Sequence, residues 1–167
     1  MSLDAMGNLG DFIGGIAVIV TLLYLAAQVR QNTGSVHAAS RQDVVESFRQ
    51  WNRQIYEIDG LVEIMQAGTR KYPNIAQPDR MKFVSFMADH CLHFQSAFAL
   101  YESGALEEET YQAYLEFLVG QLATPGGVEF WSEYRSMFPD RMSAAVDARI
   151  EAGDLPNVLE LPSYQLD

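Results

Sequence analysis

The chain has 167 residues, with 11 Lys+Arg against 22 Asp+Glu and a formal net charge of −11. That acidity excludes nucleic acid as a main partner, because neutralising phosphates takes clustered Lys and Arg. One cysteine excludes an intrachain disulfide framework and a CxxC zinc site.

The first element is apolar. Leu9 to Val29 reads LGDFIGGIAVIVTLLYLAAQV, with Asp11 as its single charge. At 1.5 Å per residue it extends roughly 31 Å, the thickness of a bilayer core. A signal peptide would need a basic leader, and residues 1 to 11 hold no Lys or Arg. A transmembrane anchor over residues 1–33 is therefore expected, with the lipid bilayer as its partner. Arg30, Arg41 and Arg49 follow the span and no basic residue precedes it. The positive-inside rule then places the N-terminus outside and the rest in the cytoplasm, facing inward from a bacterial inner membrane. Gly10, Gly14, Ala17 and Thr21 form a small-residue path at helical spacing, the pattern through which two helix backbones approach closely in lipid. Several such anchors around an axis would have only Thr21 and Gln28 to line a pore.

Residues 32 to 40 (NTGSVHAAS) read as a polar break or a soft continuation of the helix. Val44, Phe48, Trp51, Ile55 and Ile58 then follow 4-3 spacing, continued by Val62 and Met65 across Gly60. Such a seam packs on its own domain or on another subunit. After a turn-rich stretch, Asp79 reads as the cap of a helix from Arg80 to about Ser103, closed by Gly104. Its apolar residues, including Phe83, Phe94, Cys91 and Leu92, surround it on most sides, which suits the centre of a bundle.

Glu107, Glu108 and Glu109 crowd the next helix start, where the macrodipole favours anions. Tyr111, Leu115, Leu118 and Leu122 form its core seam. Thr124 with Pro125 starts a helix carrying Phe130, Trp131 and Tyr134. Pro139 opens a last helix that ends at Gly153. Residues 34–153 are thus a cytoplasmic bundle of four or five helices, and 154–167 an extended or loose tail. No alternating strand pattern occurs, so the fold class is all-α.

Asp89, His90, Cys91 and His93 are the best cluster with ligand chemistry. On a helix, Asp89 and His93 are neighbours at i,i+4, and His90 and His93 at i,i+3. A metal or an acid–base pair would use that face, with Glu116 a further candidate from another helix. A histidine in an apolar helix is more often a core residue. No catalytic residue and no cofactor is assigned from the sequence.

Three stretches carry a resemblance. They are GGIAVIVTLLYLAAQVRQNT (Gly14 to Thr33), HFQSAFALYESGALEEETYQAYL (His93 to Leu115) and TPGGVEFWSEYRSMFPDRMSAAVD (Thr124 to Asp147). Together they make the chain, to about Ala152, similar to a family of bacterial membrane-anchored helical proteins with no established activity. That family often carries Glu where this chain has Gln95, so a role for that carboxylate does not transfer. The resemblance implies the architecture and no mechanism. The function expected is a non-enzymatic interaction protein, homo-oligomeric or an accessory subunit of a larger membrane complex. The alternative is a ligand- or metal-binding sensor or enzyme with its site near His90 and His93.

Overall fold

In the computed structural model the described backbone covers residues 3–155 and 158–160, with side-chain surroundings described from residue 12 on. Among the described residues there are six α-helices and no strand, so the protein is all-α. The helices are α1 (Leu3–Glu57), α2 (Leu61–Lys71), α3 (Gln77–Glu102), α4 (Glu108–Leu122), α5 (Pro125–Tyr134) and α6 (Asp140–Glu151). The chain divides into two units, Met1–Ala39 and Ser40–Asp167.

The first unit is helical, with its side chains from Phe12 to Ala39 exposed. Its apolar stretch has a mean hydropathy of 2.2, enough in length and composition to cross a membrane. Thr21 donates its hydroxyl to the Ala17 carbonyl at 2.8 Å, so the polar group is satisfied inside the helix. Thr33 and Ser35 do the same toward Val29 and Gln31, at 3.0 and 3.1 Å. The polar stretch 32–40 is therefore continuation and not break. Gly10 lies where side-chain surroundings are not described.

In the second unit the seam closes on its own domain. Val44 and Trp51 are buried, Phe48 and Ile55 partly buried, and all four join the core. Ile58 does not: α1 ends at Glu57 and Ile58 is exposed. Gly60 adopts φ 73, a left-handed turn that costs a glycine little, and α2 starts as a separate helix. The seam resumes with Met65, while Val62 stays half-exposed.

Helix α3 begins at Gln77, with Pro78 in its first turn. Asp79 is consequently a first-turn acid and not the cap. One broad face of α3 is buried through Phe83, Phe86, Met87, His90, Cys91, Phe94 and Ala97, packed against α2 and α4. Leu92 is 52% exposed, so the helix is central without being enclosed. Helix α5 packs on α2 and α4, and α6 on α4. The α5 start is as its sequence reads: Thr124 accepts a hydrogen bond from the Gly127 backbone N–H at 3.1 Å.

Three glycines let these helices touch. A Cβ on Gly126 would lie 1.7 Å from the Gly68 carbonyl oxygen. One on Gly68 would lie 2.1 Å from the Phe83 ring, and one on Gly127 2.2 Å from the Gln121 carbonyl. The α2–α5 crossing is therefore a backbone-on-backbone contact, with Phe83 closing over it and stacking on Tyr72 at 5.5 Å. Beyond α6, Val158–Glu160 forms a 3₁₀ turn with Val158 buried, so this part of the tail is docked.

Candidate functional site

Trp51 links α1 to α3. Its indole N–H donates to the Phe86 carbonyl at 3.1 Å. Its ring stacks on Phe86 (centroids 4.6 Å apart, 29°) and on His90 (4.1 Å, 25°). Phe117 of α4 stands nearly perpendicular to Trp51, at 6.0 Å and 83°. Trp51 is thus held to two successive turns of α3 by aromatic faces, each pair adding to the burial it brings.

His90 lies inside this aromatic stack. It is buried, and its Nδ1 has no hydrogen-bond partner. Burial first, and the neighbouring His93 second, push its pKa down to about 3. It is a neutral core imidazole.

His93 faces elsewhere. Its Nδ1 shares a hydrogen bond with the Ser47 hydroxyl, and its Nε2 lies 3.5 Å from Asp89. Asp89 in turn accepts from the Gln54 amide at 2.6 Å. The sequence cluster therefore splits: Asp89 and His93 form a polar latch with Ser47 and Gln54 of α1, and His90 turns inward. Glu116 is held by Arg149, which also donates to the Gly153 carbonyl at 2.7 Å. Among the described residues no group of three or more His, Cys, Asp and Glu side chains is arranged to hold a metal ion. Cys91 is buried, and burial pushes its thiol up to about 12, so it is not a poised nucleophile.

A cleft of about 270 Å³ opens beside the Trp51 stack. Ile55, Val62, Met65 and Phe86 line it with Trp51 and Phe117, and Asn52 and Gln121 bring amide groups. Sequence reading missed it. Phe117 falls outside the Tyr111–Leu115–Leu118–Leu122 seam, and that off-seam aromatic was the available signal.

Comparisons with protein-family models, with curated proteins and with solved structures each return no match.

Proposed function

We propose that this chain is a single-pass protein of the bacterial inner membrane. Its N-terminal helix is the anchor and its bundle a cytoplasmic, non-enzymatic interaction head. The reading rests on one observation. Ten apolar side chains between Phe12 and Val29 are each 47% or more exposed, on every side of the helix. Left in water, each forgoes about 1.5–3 kcal/mol, which sums to the order of 20 kcal/mol. A bilayer covers the helix all round, and the length of the stretch matches one. Arg30, Arg41 and Arg49 after the span support the cytoplasmic placement of the bundle. The family resemblance agrees with this architecture.

Self-association through the anchor accounts for its glycines. A Cβ on Gly14 would meet nothing of its own chain within 4 Å. Gly68, Gly126 and Gly127 are demanded by neighbouring atoms, and Gly14 by none. A mid-helix glycine costs about 1 kcal/mol against alanine, so a partner helix is the natural reason for it. Gly10, Gly14, Ala17 and Thr21 form that face. The result is a homo-oligomer, alone or as an accessory piece of a larger complex.

The Gly14→Leu variant separates this reading from a solitary anchor. The full chain in phosphatidylcholine nanodiscs, sized by mass photometry, is expected to be dimeric or larger, and the variant shifted toward monomer. A wild-type chain that is already monomeric at all concentrations sinks the self-association.

A further inference from the structure

A second cleft, of about 470 Å³, lies where the 3₁₀ turn Tyr72–Asn74, the start of α3 and the end of α5 meet. That volume is in the range of small-molecule sites. Its α3 wall carries Arg80 and its α5 wall Glu133, and no ion pair joins the two. Arg80 is partly buried, and among the described residues no carboxylate pairs with it. In this acidic chain that is unusual: Arg41, Arg49, Arg53, Arg135, Arg141 and Arg149 each have a carboxylate within 4 Å. A partly buried guanidinium carries a desolvation cost that an incoming anion offsets.

The opposite wall is negative and held in place. Glu133 is exposed, and its Oε2 accepts from the Tyr72 hydroxyl, whose ring is buried against Phe83. Burial first, then that bond and the nearby carboxylate charges, hold the hydroxyl protonated above its ordinary range, so the donor persists. Glu133 Oε1 has no hydrogen-bond partner among the described residues. One turn earlier on α5, the Glu129 Oε2 is buried, also without a partner.

These charges select the ligand. An anion alone would meet Glu133, and a cation alone would meet Arg80. A molecule with both charges satisfies both walls. Arg80 suits a carboxylate, which a guanidinium takes through two parallel N–H donors. Glu133 suits an ammonium group. A free amino acid holds these two groups one carbon apart, whereas a peptide holds them at opposite ends. Met81, 66% exposed, and the partly exposed Val84 offer apolar surface to a side chain. The exposed Ser85 and Gln77 add polar groups at the rim. Every one of these contacts is open to solvent, and the buried Tyr72 serves only to hold Glu133.

We propose that this cleft binds a free amino acid with an apolar side chain, its carboxylate on Arg80, its ammonium on Glu133 and its side chain on Met81 and Val84. The bundle is then a ligand-binding head, with its site at the start of α3 and not at His90 and His93. This stands independently of the membrane anchor.

L-Leucine is the probe. The full chain in nanodiscs, labelled at its methionine methyl groups, places a reporter in the cleft at Met81, assigned with Met81→Leu. Titrated leucine is expected to shift the Met81 peak saturably, with Kd below about 1 mM. Two analogues carry one charge each: 4-methylpentanoate lacks the amine and isopentylamine lacks the carboxylate. Both should bind wild type about tenfold or more weakly than leucine does. Arg80→Gln removes no contact of the folded bundle, and Glu133→Gln keeps an oxygen for the Tyr72 hydroxyl. Arg80→Gln should weaken leucine about tenfold and bring it level with isopentylamine. Glu133→Gln should bring leucine level with 4-methylpentanoate, a matching that general loss of structure would not produce. Absence of a saturable Met81 shift overturns the site. Unchanged leucine binding in either variant overturns its location. Wild-type binding of either analogue as tight as that of leucine overturns the amino-acid class.

Discussion

Gly126→Ala is expected to cost the bundle about 3 kcal/mol or more. The added Cβ would sit 1.7 Å from the Gly68 carbonyl oxygen. That neighbour is backbone, so no rotamer change relieves the clash, and α2 and α5 must separate. Separation lifts Gly68 from the Phe83 ring, which is fully buried and stacked on Tyr72. It also strains the Tyr72 hydroxyl bond to Glu133 at the other side of the crossing. Tryptophan fluorescence during heating should report a midpoint lowered by about 10 °C or more. Gly104→Ala is the control: its φ is +74 with open space around the new Cβ, so only the left-handed penalty of about 1 kcal/mol applies. Equal losses from the two substitutions would contradict the backbone contact.

Acid should unfold the protein through His90 before the carboxylates matter. In the folded chain His90 titrates at about 3, below its ordinary value of 6.5. Below pH 6.5 the unfolded chain therefore binds a proton that the folded chain does not. Stability is fully present above pH 6.5 and falls by about 1.4 kcal/mol per pH unit as the pH drops toward 3. Between pH 6.5 and 4.5 the expected loss is about 3 kcal/mol. Carboxylates such as Glu108, held below its ordinary 4.5 first by its bond from Tyr101, add their loss only below that window. His90→Leu keeps the volume and removes the proton site, so its stability should be flat across the window while wild type declines. A wild-type profile that is also flat would show that His90 gains a partner or solvent in the folded state.

Much of the bundle was legible in local signals. Thr124–Pro125, Gly104 and Gly153 each mark a helix boundary because capping is a short-range interaction. The seam Val44, Phe48, Trp51, Ile55 was legible because its period is set by burial. Its last member, Ile58, was not, since Gly60 ends the helix while the apolar spacing runs on. Helix through 32–40 was hard to read because Thr33, Gly34 and Ser35 form helix poorly alone. The Thr33 and Ser35 hydroxyls turn back to their own helix carbonyls instead of breaking the helix.

The site was less legible. Asp89, His90 and His93 look like one constellation in sequence, yet a step of one residue is about a quarter-turn of helix. That step carries His90 into the Trp51 stack and leaves Asp89 and His93 to Ser47 and Gln54. The Gly68–Gly126 contact joins residues far apart in the chain, and nothing local announces it. The Trp51–Phe117 corner likewise exists only once α1 and α4 are assembled.

Alkaline carbonate extraction of membranes from cells producing the full chain, followed by intact mass, tests the anchor most directly. Carbonate strips proteins held by surface contacts and leaves a spanning helix in place. The expected result is a chain of 18.7 kDa in the membrane pellet, with residues 12–29 retained. Recovery in the aqueous supernatant, or a membrane-borne chain lacking those residues, would contradict it.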